Sequence, residues 1–182
     1  SSDLERKPPM IQVTIDGKTT EVEPGTTILA AAKKVGIPIP ALCDSEMVEP
    51  YGACRVCSVE IDEGRRKRIV TACNYPLNKP AAVSTGSERA LKVRRLVLEM
   101  MLARWPNVKV VREMAEEVGV AASRFVHPRR NENEHACILC GLCVRICHEG
   151  VLHRILAFEG RGETRKVSMP YGKQPPECVG CM

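Results

Sequence analysis

The chain predicts an α+β fold in two small modules, and three patterns lead there. Residues 10–80 alternate strand signals with one short helical stripe. Residues 81–134 carry two helical stripes and no cysteine. Ten cysteines fall into two tight groups, one on each side of that stretch.

Residues 1–9 read as a polar tail ending in Pro8-Pro9. Ile11-Gln12-Val13-Thr14-Ile15 alternates apolar and polar, the period of a half-buried strand. Asp16-Gly17 is a hairpin turn, and Thr19–Val22 is the return strand. After the Pro24-Gly25 break, Ile28, Ala31, Ala32 and Val35 recur at helical spacing, with Gly36 where a helix stops. Residues 37–57 read as a loop. Ser58–Ile61 and Ile69–Ala72 read as two further strands around Glu63-Gly64. A boundary is expected after Asn78-Lys79-Pro80. Thr85-Gly86-Ser87-Glu88 has the form of a capping box. The helix it opens places Leu91, Leu98, Met101 and Leu102 on one face and ends before Pro106. A second helix is expected from about Val108 to Val118, with Val111, Met114, Ala115 and Val118 as its stripe and Gly119 as its stop. His127–Glu134 is a charged linker, and residues 135–182 form the second cysteine-rich module.

Composition narrows the class. Aromatics make up 3% of the chain, so the core must be built from Val, Ile, Leu, Ala and Met. Modules with thin cores commonly gain folding energy from bound metal. The longest apolar run, Ile28-Leu29-Ala30-Ala31-Ala32, is far too short for a bilayer. Ser1–Lys7 has no apolar segment of a secretory leader. Cysteines in C-x2-C pairs without such a leader fit ligands to a soft metal better than disulfides. The expected compartment is the reducing cytoplasm, without direct membrane insertion. The formal charge of +5 is spread out, with clusters at Arg65–Arg68 and around Lys92, Arg94 and Arg95. With little aromatic interleaving for base stacking, no nucleic-acid partner is expected. These clusters read as a hairpin tip and a helix face, or as a docking surface for an acidic partner.

In the first group, ten residues separate Cys43 from Cys54, two separate Cys54 from Cys57, and fifteen separate Cys57 from Cys73. Four thiolates, three from one loop and one from a later strand end, suit a [2Fe–2S] centre, in which each iron takes two cysteines. Gly52 would let backbone approach such a centre, so that N–H groups address its sulfurs.

These residues carry a family resemblance. Ile11–Gly17, Pro24–Ala32, Ile37-Pro38, Gly52-Ala53-Cys54-Arg55-Val56-Cys57 and Thr71-Ala72-Cys73 resemble the β-grasp [2Fe–2S] ferredoxin domain of the large iron–sulfur subunit of respiratory NADH dehydrogenase. The same module occurs in the diaphorase iron–sulfur subunit of NAD-linked hydrogenases, and in related formate dehydrogenases and iron-only hydrogenases. Arg94–Glu99 and Arg124-Phe125 are similar to the family's next segment. That family usually places a [4Fe–4S] site with one His and three Cys between those stretches. Here the segment reads Arg104-Trp105-Pro106-Asn107, and no cysteine lies between 74 and 136, so that centre is expected to be absent.

The second group, Cys137, Cys140, Cys143 and Cys147, has the C-x2-C-x2-C-x3-C spacing of bacterial ferredoxins. By that rule Cys137, Cys140 and Cys143 hold one [4Fe–4S] cluster. Cys147 crosses to a second, with Cys178 and Cys181. Further ligands would lie beyond Met182, so the module is expected to be the start of a longer one. Four cysteines within eleven positions crowd a tetrahedral zinc site. For Cys178 and Cys181 alone, spacing leaves zinc open. His148 stands where ferredoxins usually carry Pro. His127, His135, His148 and His153 read as ordinary polar residues. Trp105 and Tyr171 read as packing residues.

The expected cofactors are one [2Fe–2S] and two [4Fe–4S] centres. There is no G-x-G-x-x-G, no Walker A motif and no catalytic triad or carboxylate pair, so the chain is expected to carry electrons rather than transform a substrate. The resemblance implies an electron-transfer subunit of an NAD(H)-linked oxidoreductase, between an NAD(H)-oxidising flavoprotein and a terminal oxidoreductase subunit. Two alternatives stand beside it: the N-terminal cluster domain of a catalytic chain such as an iron-only hydrogenase or formate dehydrogenase, and an iron–sulfur redox sensor.

Overall fold

The computed structural model describes residues 9–130, 136–173, 175–176 and 178. Two compact units emerge, one of residues 1–41 and 55–97, the other of residues 42–54 and 98–182.

The first unit is built on a five-stranded mixed sheet. Strand β1 (Ile11–Ile15) pairs antiparallel with β2 (Lys18–Val22) in the register Ile11 to Val22 through Ile15 to Lys18. The turn uses φ of 45° at Asp16 and 82° at Gly17, the pair of left-handed residues that a tight hairpin following the sheet twist requires. Helix α1 (Ile28–Lys34) starts at Thr27, whose Oγ1 accepts the N–H of Ala30 at 3.2 Å. It ends where Gly36 turns to φ 70°. Strands β3 (Ser58–Asp62) and β4 (Arg68–Thr71) form the second hairpin, closed by Asp62 Oδ1 accepting the Gly64 N–H at 2.9 Å.

The strand that organises the sheet lies past residue 80. Strand β5 (Ala81–Ser84) runs parallel to β1 and antiparallel to β3, giving the order β2-β1-β5-β3-β4. The stretch expected to open the helical linker therefore begins as a central strand. Asp16 secures it: its backbone N–H reaches the Val83 carbonyl at 3.0 Å, and its carboxylate accepts the N–H of Thr85 at 2.8 Å and its hydroxyl at 2.5 Å.

Val13, Ile15, Ile28, Val59, Ile61 and Leu77 are fully buried, and the core also takes in Cys57 and Cys73. Each large side chain contributes about 1.5–3 kcal/mol of burial free energy. Near the hairpin tip, Glu63 accepts Arg68 Nη2 at 2.5 Å and the Tyr75 hydroxyl at 3.0 Å, with Lys79 Nζ at 3.5 Å. Burial alone would raise the Glu63 carboxyl, but Tyr75, Arg68 and Lys79 outweigh it and hold it below the usual carboxylate value. A depressed carboxyl adds stability above its unfolded pKa of about 4.3. That stability is lost as pH falls through the folded value. Glu63→Gln is therefore expected to lower the melting temperature near neutral pH, with the gap to the parent closing in more acid buffer. A gap that stays constant across thermal melts between neutral and acid pH would assign the loss to packing.

Helix α2 (Glu88–Arg104) is capped by Ser87, not Thr85: Ser87 Oγ accepts the Ala90 N–H at 3.2 Å. Its buried stripe repeats every four residues, Ala90, Arg94, Leu98 and Leu102, while Leu91 and Met101 are half-buried. An arginine thus occupies a core position of this helix.

In the second unit, α3 (Lys109–Glu117) buries Val111 and Ala115 and ends before Gly119, at φ 79°. Helix α4 (Leu142–Arg145) passes directly into one π-helical turn, Ile146–Gly150. A two-stranded hairpin follows, β6 (Ala157–Glu159) with β7 (Lys166–Ser168), which no expected element covers. Tyr171, read as a packing residue, is instead fully solvent-exposed. Among the described residues, no helix is long and apolar enough to cross a membrane.

Candidate metal centres

Cys57 lies one residue before β3 and Cys73 two residues after β4. The ladder between these strands brings the two together, and the Cys57 carbonyl accepts the Ala72 N–H at 3.0 Å. Both side chains are buried in the core of the first unit. Cys43 and Cys54 belong to the second unit. Cys43 is buried, Cys54 is half-buried, and the Cys54 N–H points at Cys43 Sγ at 3.4 Å. Gly52 (φ 71°) and Arg55 (φ 63°) bracket Cys54 with left-handed backbone. For a non-glycine residue that conformation costs roughly 1–2 kcal/mol, and such strain persists where a site requires it.

The second group shows the same device more strongly. Ala136 (φ 52°), Leu139 (φ 57°) and Gly141 (φ 80°) all turn left-handed around Cys137 and Cys140. A Cβ on Gly141 would sit 3.0 Å from the ring of Phe158, so only glycine fits this corner without displacing the ring. Cys137, Cys140 and Cys143 are half-buried. Burial pushes the Cys143 thiol up, and the charges of Cys137 and Cys140 push it further.

Cys147 is buried on the π-helical turn. Its sulfur accepts two backbone N–H groups, from Ile155 at 3.2 Å and Leu156 at 3.4 Å. The chain reaches back because Leu152 and Arg154 adopt φ of 58° and 53°. His148 holds that return loop, its Nε2 2.8 Å from the Leu156 carbonyl. Cys178 is half-buried, its N–H on the Pro175 carbonyl at 3.0 Å. Cys181 and His135 lie outside the described residues. Among the described residues, no three His, Cys, Asp or Glu side chains surround one point as ligands of a single ion would.

Two further residues are not among the site candidates that the sequence offers. Arg145, between two cysteines of the second group, is buried; its Nη1 donates to the Cys43 carbonyl at 3.1 Å and its Nη2 to the Glu49 carbonyl. Its guanidinium lies 4.9 Å from the Tyr51 ring centroid, and its Nε is 3.5 Å from Glu149. Glu149 in turn accepts the Glu49 N–H at 2.8 Å. This one side chain ties the Cys43 loop to α4. The other residue is Arg94 on α2.

The donor set fits iron held by thiolates. No disulfide joins any of the nine described cysteines. Backbone N–H groups directed at sulfur are the contacts that stabilise a metal-bound thiolate and tune its centre.

Comparison with known proteins places this chemistry. Residues 9–88 match the family model of the 2Fe-2S iron-sulfur cluster binding domain. The first unit is thus an iron–sulfur protein domain of mixed-sheet, ferredoxin-like type. The chain is 35% identical to NADPH-Fe(3+) oxidoreductase subunit alpha of Geobacter sulfurreducens, over 94% of its own length and 22% of that protein. It is 34% identical to NADP-reducing hydrogenase subunit HndD of Solidesulfovibrio fructosivorans, over 94% of its length and 34% of that protein. A chain of NAD+-reducing [NiFe]-hydrogenase, solved in the H2-reduced state, superposes with a TM-score of 0.72 at 31% identity, covering 87% of this chain and 74% of that one. The chain belongs to the family of iron–sulfur subunits related to respiratory NADH dehydrogenase and NAD-linked hydrogenases. It spans between a fifth and about a third of the length of the curated relatives it matches.

Proposed function

We propose that this chain relays single electrons between an NAD(P)H-oxidising flavoprotein and a terminal oxidoreductase subunit. The observation that carries the reading is the 2Fe-2S cluster binding match over residues 9–88, which contains all four cysteines of the first group. In this reading Cys43, Cys54, Cys57 and Cys73 ligate one [2Fe–2S] centre. Cys137, Cys140 and Cys143 hold one [4Fe–4S] centre, and Cys147 joins Cys178 and Cys181 on another, in a bacterial-ferredoxin-like module. The names of the similar proteins, an NADPH-Fe(3+) oxidoreductase subunit and an NADP-reducing hydrogenase subunit, support electron transfer linked to a nicotinamide cofactor. An iron–sulfur centre supplies reversible one-electron storage at a potential set by its surroundings. The protein's own part is to bury the sulfurs, aim N–H groups at Cys43 and Cys147, and hold the ligand loops through Arg145 and His148.

The test is anaerobic reduction of the reconstituted chain, followed by loss of its visible absorption. NADH alone is expected to reduce nothing. NADH with a catalytic amount of a diaphorase flavoprotein is expected to bleach the centres as fully as dithionite does. Full bleaching by dithionite with none through the flavoprotein would overturn the relay.

A second reading is a cluster segment of a larger catalytic chain. It is favoured by relatives several times longer than the matched region. Reading the gene on both sides of these residues separates the two.

A further inference from the structure

Helix α2 buries a charge that the fold itself leaves poorly compensated. Arg94 is 6% exposed and sits in the stripe with Ala90, Leu98 and Leu102. Its Nε and Nη2 both donate to one neutral acceptor, the Ser58 carbonyl, at 3.1 and 2.8 Å. Ser58 directly follows Cys57. Among the described residues, no carboxylate forms an ion pair with Arg94. Arg89 on the same helix shows the contrast: it is exposed, and its Nη1 meets Glu60 at 2.6 Å. A buried guanidinium without an anion carries a desolvation cost of several kcal/mol. Burial accordingly pushes the Arg94 pKa down, and only the charges of Cys57 and Asp16 pull the other way. The carboxylate of Asp16 is itself engaged by Thr85.

The missing anion has an evident source. A [2Fe–2S] centre on four thiolates is anionic, and one-electron reduction adds a further negative charge. We propose that Arg94 is the built-in counter-charge of the [2Fe–2S] centre: a positioning residue that fixes the Cys57–Ser58 backbone with its fork and favours the reduced state with its charge. A cation near the centre is worth more after reduction than before, so it raises the midpoint potential. This rests on the proposed ligation by Cys43, Cys54, Cys57 and Cys73.

The experiment is a mediated dithionite titration of the full chain, with EPR reading the two-iron signal and iron and sulfide analysed in every sample. The parent is measured first; no two-iron signal there would refute the ligand assignment and leave Arg94 out of account. Arg94→Gln keeps an N–H donor for Ser58 and loses the charge. Arg94→Lys keeps the charge and loses the fork. At a fixed poise near the parent midpoint, Arg94→Gln is expected to lower the reduced-to-oxidised ratio about tenfold, which is a shift of about 59 mV for one electron. Arg94→Lys is expected to stay near the parent. Loading of the centre in Arg94→Lys but not in Arg94→Gln would also support a charge role. A parent-like potential in fully loaded Arg94→Gln would overturn the proposal. So would equal shifts in both variants, or loss of the centre from both, because a residue acting through its charge tolerates lysine.

Discussion

Cys57→Ser is expected to abolish the two-iron EPR signal and to remove two irons and two sulfides per chain, the content of one [2Fe–2S] centre. Its effect should be the largest among serine changes at Cys43, Cys54, Cys57 and Cys73, for a structural reason. Cys57 is fully buried at the start of β3, packed in the core that contains Val59, Ala72 and Leu77, with its carbonyl held by the Ala72 N–H. Serine nearly matches cysteine in size, so the substitution opens no large cavity. What it removes is the soft thiolate, and a hydroxyl is a poor substitute for binding iron. Binding to the folded state alone stabilises that state, so loss of the centre must also lower stability. For a domain of this size each 1 kcal/mol corresponds to roughly 4–8 °C, and a fall of at least roughly 5 °C in the melting temperature of the loaded protein is expected. After chelation the variant and parent should melt together. An unchanged iron content and spectrum in Cys57→Ser would mean that Cys57 is a core residue and no ligand.

Strong local rules made part of the fold legible. The Asp16-Gly17 hairpin, the Thr27–Gly36 helix and the β3–β4 hairpin each announce themselves by turn residues and periodicity within a few positions. Strand β5 does not. Ala81-Ala82-Val83-Ser84 has weak strand character and follows a proline. It becomes a strand because β1 and β3 offer it hydrogen bonds on both sides. The cap of α2 falls at Ser87 for a related reason: Thr85 matches the local motif, but Asp16, far away in sequence, engages both its hydroxyl and its N–H.

The candidate ligands were legible because cysteine spacing is a direct record of loop geometry. Their support was not. Arg94 and Arg145 look like surface charges in sequence, since a hydrophobic pattern treats every arginine as outward-facing. Only the fold shows one forked onto the Ser58 carbonyl and the other on the carbonyl of Cys43. His148 likewise becomes meaningful only once the loop returns through Leu152 and Arg154 to Cys147.

That return loop leads to the second large effect. Cys147→Ser and Cys140→Ser are each expected to remove one [4Fe–4S] centre, and not the same one. By the rule of two-cluster bacterial ferredoxins, a C-x2-C-x2-C loop supplies three corners of one cube and the next cysteine serves the other. Two features distinguish Cys147 from the three sulfurs before it. It is buried where they are half-buried, and it receives N–H groups from Ile155 and Leu156, in a segment that follows the loop. In the reconstituted protein each variant is therefore expected to lose about four irons, and the double variant about eight. The reduced parent should show spin coupling between two centres in its EPR spectrum, and each single variant an uncoupled signal from the survivor. Equal losses of about four irons in the single and double variants would place Cys140 and Cys147 on one cube. The module would then hold a single [4Fe–4S] centre, and Cys178 would need another role.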